Sequence, residues 1–266
     1  MKILALAAIS LLAAVLLACG SNSSMTSGGG NGSGSGSGTG GGDVSFSLLD
    51  NWQITTNSTV NAGKSGSAGG LLVNNGLTNT VSGVLANIQP PCSATANLSG
   101  TLSQRAITFS LAENGQSITF NGTINQNING MSGTYNASPG GCTNGDAGTW
   151  NATRIPSVNG TWSGTLTPTS TMQAAFQLSA PLTQDTLVGK VTGTATVTNS
   201  PCFTSVALAT PNFIAGQQLI LTGQSGGATL QITASVDLSA TSMSATYAIS
   251  GGGCDGQTGS GTLTRQ

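Results

Sequence analysis

The sequence predicts an all-β protein with two tandem antiparallel meander β domains, small barrels or alternatively sandwiches. Composition is the first sign. The chain has six basic and seven acidic residues in 266, no His, and much Gly, Thr, Val and Ile, which favours strands and tight turns over helices. Alternation is the second. Short apolar/polar segments with period two are punctuated by Gly or Asn-Gly, the pattern of sheets with one buried face. Duplication is the third. Trp52 and Trp162 lie 110 apart, as do Pro91-Cys92 and Pro201-Cys202, whereas Met131 and Met243, and Gly140-Gly141-Cys142 and Gly252-Gly253-Cys254, lie 112 apart. A two-residue insertion between the Cys positions of the second half accounts for the change.

The chain opens with Met1-Lys2, an apolar run over 3–17 and Ala18-Cys19-Gly20. One basic residue, an apolar stretch short for a bilayer span and small residues at its end make a secretory leader over 1–18. Leu16-Leu17-Ala18-Cys19 resembles the lipobox of bacterial lipoproteins. That resemblance implies cleavage before Cys19, diacylation of its thiol and a third chain on the new amino group. Cys19 would then be the lipidation site and the membrane a partner, since several acyl chains anchor stably where one does not. The alternative is an ordinary secreted protein in which Cys19 is incidental. Gly20 stands where an Asp often retains lipoproteins at the inner membrane, so the resemblance implies the outer membrane in a host that has one.

Residues 19–43 hold the acylated Cys and a linker of nearly pure Gly, Ser, Asn and Thr, which reads as a flexible tether. As a coil, 20–42 spans roughly 25 Å. The first β repeat covers 44–155, with strands expected at 52–56, 81–88, 96–102, 107–112, 117–124, 131–137 and 148–153. The second covers 157–266, with strands at 160–167, 174–178, 187–198, 206–209, 218–222, 229–236, 243–249 and 259–264. Asn114-Gly115 and Gly226-Gly227 are hairpin signals between neighbours. No amphipathic helix follows the leader.

Four Cys remain once Cys19 is assigned: Cys92, Cys142, Cys202 and Cys254. In an exported chain an even number implies a disulfide framework. Two equivalent domains should each close their own bridge, Cys92–Cys142 and Cys202–Cys254; a Cys92–Cys202 link would break the two-unit reading. Spacing far from paired CxxC, without His, argues against a metal site.

Gly160-Thr161-Trp162 with late Arg265, and Trp52 with late Arg154, are similar to the Gly-x-Trp signature of lipocalin- and avidin-type barrels. The resemblance implies that Trp52 and Trp162 plug one end of each barrel, with Arg154 and Arg265 lying across them. Asp50-Asn51-Trp52 departs from the signature by lacking the Gly. Taken whole, the chain resembles Gly/Ser/Thr-rich bacterial lipoproteins with tandem β domains, which implies an envelope location and supplies no activity.

Without His, Ser-His-Asp and Cys-His arrangements are absent. Gly63-Lys64-Ser65 lacks the earlier Gly and the helix of a phosphate-binding loop. Paired carboxylates could cut glycosides, but Asp50, Glu113, Asp146, Asp185, Asp237 and Asp255 read mostly as strand-end and turn residues. Asp146 and Asp255, each after the second Cys of a repeat, read as one shared turn. No enzyme and no cofactor is expected. Without clustered Lys and Arg, nucleic acid is not a partner. The expected role is binding or interaction at the envelope, toward a small apolar ligand, a glycan or an envelope protein. The alternatives are a purely structural or adhesive surface domain and, more distantly, a glycan-active enzyme.

Overall fold

A computed structural model describes residues 46–74, 79–86, 95–113, 115–140, 143–185, 188–208 and 212–266. The expected leader, Cys19 and the whole of the expected tether lie outside the described residues, as do Cys92 and Cys142. What is described is two eight-stranded antiparallel barrels in tandem; the expected barrel is present and the sandwich is not.

Barrel 1 runs β1 (Asp50–Ser58), β2 (Ser65–Asn74), β3 (Thr80–Ala86), β4 (Thr95–Ser103), β5 (Ala106–Glu113), β6 (Gln116–Ile124), β7 (Gly130–Gly140) and β8 (Thr143–Ile155). It closes where β1 pairs with β8, from Asn51 opposite Ile155 to Ser58 opposite Gly148. Barrel 2 runs β9 (Gly160–Pro168), β10 (Phe176–Gln184), β11 (Val191–Thr198), β12 (Ser205–Leu208), β13 (Phe213–Ala215), β14 (Gln218–Ser225), β15 (Ala228–Val236), β16 (Ser242–Ser250) and β17 (Thr258–Arg265). Its ring closes at the β12–β14 seam, Ala207 opposite Gln224 and Leu208 opposite Gly223. β13 pairs with β14 but stays outside that ring.

Period-two alternation builds both cores. Trp52 and Ile54 of β1 point inward with Leu98, Phe109, Phe120 and Trp150. Leu166, Leu178, Leu221, Ile232 and Tyr247 do so in barrel 2. Most outward positions are hydroxyl, amide or small side chains, such as Thr192, Thr194, Thr196 and Thr198 along β11, with aliphatic exceptions at Leu71, Val73, Val84 and Ile220.

The duplication is visible in ladder register. Leu98 opposite Leu111 in β4–β5 matches Leu208 opposite Gly223 in β12–β14, at offsets of 110 and 112. The two-residue insertion therefore falls between Leu208 and Gln218, the stretch that carries β13. Where barrel 1 makes a tight turn from Ser103 to Ala106, barrel 2 ends β12 early and lets β13 peel away.

β13 and the turn after it lie on barrel 1. The Asn51 amide is bonded both ways to the Gly216 backbone: Nδ2 donates to its carbonyl at 2.6 Å, and Oδ1 accepts its N–H at 2.7 Å. Gln53 Oε1 accepts the Gln217 N–H at 2.9 Å. Asn51 and Gln53 are outward-facing yet buried, because barrel 2 covers them. Gly69 permits the contact: a Cβ there would lie 2.3 Å from the Ala215 backbone.

Candidate functional site

Each barrel has a Trp end, where its first strand begins, and an opposite end. At the Trp end of barrel 1, Trp52 is fully buried and its indole N–H donates to the Leu48 carbonyl at 3.0 Å. Trp162 repeats this with Val158 at 2.8 Å. A buried amide supports each turn: Asn74 Oδ1 accepts the Leu48 N–H, and Gln184 Oε1 the Val158 N–H. Such pairing is what buried indoles and backbone groups require.

Arg154 sits directly opposite Trp52, and Arg265 opposite Trp162, so each pair shares a face of the sheet. The guanidinium groups have polar partners. Arg154 Nε bonds Asp50 Oδ2 at 2.7 Å, and Nη2 reaches the Leu49 carbonyl at 3.4 Å. Arg265 Nη1 reaches the Ser157 and Ala240 carbonyls at 3.2 and 3.5 Å. The residue two before each Trp sets this difference. Asp50 supplies a counter-charge in barrel 1. Gly160, at φ +129, leaves room in barrel 2, where a Cβ would meet Arg265 Nε at 3.0 Å. A cation over an aromatic ring occurs elsewhere: Arg105 sits 5.5 Å from the Phe46 ring centre.

At the opposite end of barrel 1, Asp146 gathers the β1–β2 hairpin and β7. Its Oδ1 accepts from the Ser58 hydroxyl, from Asn61 Nδ2 at 3.2 Å and from the Ala147 N–H at 3.0 Å; its Oδ2 accepts from Tyr135 at 2.7 Å. Burial pushes the Asp146 carboxyl up, but these bonds outweigh it and hold the group below the usual carboxylate range. Burial and the facing carboxylate push Tyr135 up to about 12. Asp255 differs from the shared turn expected with Asp146: it accepts the Gly251 N–H at 2.7 Å in a turn of its own. The ladder counterpart of Asp146 is Gln257, whose amide donates to the Tyr247 oxygen at 3.0 Å. A carboxylate that accepts four hydrogen bonds from Ser58, Asn61, Tyr135 and Ala147 is an anchor for chain segments.

At that end of barrel 2, Cys202 and Cys254 form a disulfide, Cα atoms 6.1 Å apart and 52 residues apart in sequence. It ties the β11–β12 connection to the 3₁₀ turn Gly252–Cys254. Among the described residues, no group of three or more Cys, Asp or Glu is placed to hold a metal ion.

Large side chains occupy both barrel interiors, and the clefts lie outside them. One, of about 230 Å³, sits between the barrels, lined by Gln53, Ser67, Gly69, Gln217, Gln218 and Ser235 among others. Another, of about 340 Å³, borders the β14–β15 turn. The inter-barrel cleft was not legible in the sequence, because both β13 and β2 escaped the alternation pattern.

No family model matches the chain, and no curated protein matches it. Among solved structures, a protein of unknown function from the DUF3598 family of Nostoc punctiforme is similar at 9% identity and a TM-score of 0.28, covering 82% of this chain and 96% of that one. Kievitone hydratase from Nectria haematococca is similar at 10% identity and a TM-score of 0.24, covering 82% and 89%. Likeness this slight carries no argument about activity.

Proposed function

We propose that the chain is a lipid-anchored cell-envelope protein with a non-catalytic binding or interaction role, held through Cys19 and facing its partners with the outer walls of the barrels. The leader and its lipobox-like end support the anchor. The observation that carries the role is the outer wall itself: no outward-facing position of a described strand carries a charged side chain. Thr165, Thr167, Ser244, Thr246, Ser260 and Thr262 are typical of it. Hydroxyls and amides keep such a wall wet without selecting for charge, which suits a neutral, hydrogen-bonding partner. The interiors, filled by Trp52, Trp150, Phe109 and Leu166, favour that reading over an apolar ligand inside a barrel.

Metabolic labelling with an alkyne fatty acid, followed by membrane fractionation, tests the anchor. The wild-type chain is expected to carry label and sediment with membranes, while Cys19→Ser loses both. A wild-type chain released unlabelled into the medium refutes the proposal.

A further inference from the structure

The cleft between the barrels has walls from both halves of the chain. β1 and β2 supply Gln53, Ser67 and Gly69; the turn after β13, with β14 and β15, supplies Gln217, Gln218 and Ser235. No charged and no aromatic side chain lines it. We propose that this cleft binds a neutral, hydroxyl-rich ligand about the size of one sugar ring, an inference that rests on the non-catalytic binding role above and names its ligand class.

One wall is held in place before any ligand arrives. Gln53 Nε2 donates to Ser67 Oγ at 2.7 Å and to the Ile54 and Ala68 carbonyls at 3.2 Å, while its Oε1 accepts the Gln217 N–H. Around that fixed amide, hydrogen-bonding capacity is left over. Ser67 Oγ accepts from Gln53 and keeps its own proton to donate. Gln217 uses Nε2 on the Val236 carbonyl at 2.8 Å and keeps Oε1 as an acceptor. The Gln218 amide and the Ser235 hydroxyl have no partner among the described residues. Gln218 and Ser235 stand directly opposite each other on β14 and β15, so they present to the same face.

These groups offer donors and acceptors together and no charge. The hydroxyls of a pyranose do the same, each able to give one bond and accept up to two. A carboxylate or ammonium ligand would find no counter-ion and would lose hydration without return. The Asn51–Gly216 pair alongside shows that this seam already accommodates a neutral group that donates and accepts at once. Without an aromatic platform the contact is weak, with a Kd on the order of 1 mM. The cleft is a product of the tandem: neither barrel has both walls, and the insertion that frees β13 builds the second.

The test is ¹⁵N-detected NMR titration of the full chain, kept unacylated by Cys19→Ser, with glucose, N-acetylglucosamine and glucuronate. Saturable shifts are expected at the amides of Ser67, Gln217, Gln218 and Ser235 with one or both neutral sugars, and at least about tenfold weaker binding of glucuronate. Gln218→Ala with Ser235→Ala should weaken the neutral sugar about tenfold while the rest of the spectrum is unchanged. Absence of saturable shifts, shifts spread evenly over the outer walls, or undiminished binding by the double variant would each overturn the site. A chain that is acylated and membrane-bound but shows no shifts loses the cleft and keeps the envelope role. A chain that binds sugar but is released unacylated does the reverse.

Discussion

Barrel 1 stacks Phe109 on Phe120 at 4.8 Å between ring centres and sets Trp150 edge-on to both, at 5.5 and 5.6 Å. At the same ladder positions barrel 2 has Leu221, Ile232 and Gly261. The residues beside them change in the opposite sense. Gly122 faces Gly133 next to Trp150, and a Cβ on Gly122 would lie 2.7 Å from the Trp150 ring; barrel 2 has Ala234 facing Ala245. One framework thus holds an aromatic filling with glycines around it and an aliphatic filling with alanines around it. The glycines of barrel 1 make room for the larger rings beside them. The alanines of barrel 2 take back only part of the space that its smaller side chains leave, so close packing is met locally by different residues in each barrel. The polar ends diverge likewise, with Tyr135 donating to a carboxylate and Tyr247 accepting from an amide.

The largest effects should come from breaking what one barrel has and the other lacks. Trp150→Ala is expected to cost about 4 kcal/mol in denaturant unfolding, through a cavity barrel 2 cannot acquire at Gly261. Gly122→Ala should destabilise as well, whereas Ala234→Gly costs about 1 kcal/mol. Cys202→Ser with Cys254→Ser is also expected to cost about 4 kcal/mol, from the chain entropy of a long loop in the unfolded state, and non-reducing peptide mapping should find that bridge. An equal loss on replacing Cys92 and Cys142 would show that both halves are bridged alike; no loss would make the bridge a property of barrel 2.

Next comes the joint between them. Gly69→Val should cost about 2 kcal/mol and split a single calorimetric transition into two, because its side chain cannot share space with Ala215. One unchanged transition would refute the coupling. The smallest effects are electrostatic. Tyr135→Phe should cost about 1 kcal/mol and let the Asp146 carboxyl rise, while Tyr247→Phe costs less. Asp237, in the β15–β16 turn, accepts from the backbone N–H groups of Thr241 and Ser242 and from the Ser239 and Thr241 hydroxyls. Burial raises its carboxyl, and these bonds more than reverse that, holding it at about 2. A depressed carboxyl stabilises the fold above its unfolded value and loses that contribution as pH falls, here from about 4 to about 2. Tyr135 has the opposite sign: its contribution is complete below about 10 and is lost as pH rises toward about 12. Urea unfolding across both windows checks the two slopes, and Asp237→Asn should flatten the acid one.

Strands with period-two alternation were readable because one face is buried. β2 was not, because Gly69 and Gly70 interrupt its pattern, and their absence of side chains answers to neighbours in space: the Ala215 backbone for one, the Val84 carbonyl for the other. β13 has no local signature in the sequence, because three residues show no period. Its trace was the shift from 110 to 112, which located an insertion without saying that it bridges two barrels. Trp52 and Trp162 were legible as landmarks, and the structure places Arg154 and Arg265 opposite them. That Asp50 would take up the Arg154 guanidinium was foreshadowed by the missing Gly of the Gly-x-Trp pattern. The Tyr135–Asp146 contact had one usable signal, Tyr at equivalent positions in both halves, but its partner changes from Asp to Gln, which hides the equivalence. The cleft needs both barrels in place, so no local pattern announces it.

The chain reaches barrel 1 through Leu48, whose carbonyl holds the Trp52 indole and whose N–H is held by Asn74. Any pull on the preceding segment arrives there and continues along the axis of β1, which is laddered to β2 on one side and β8 on the other. Force in that direction loads two rows of hydrogen bonds in shear, so they share the strain instead of opening one after another. The Trp52 indole and the Asn74 amide, which between them hold Phe46 and Leu48, are therefore a mechanical clamp on the segment that enters the barrel.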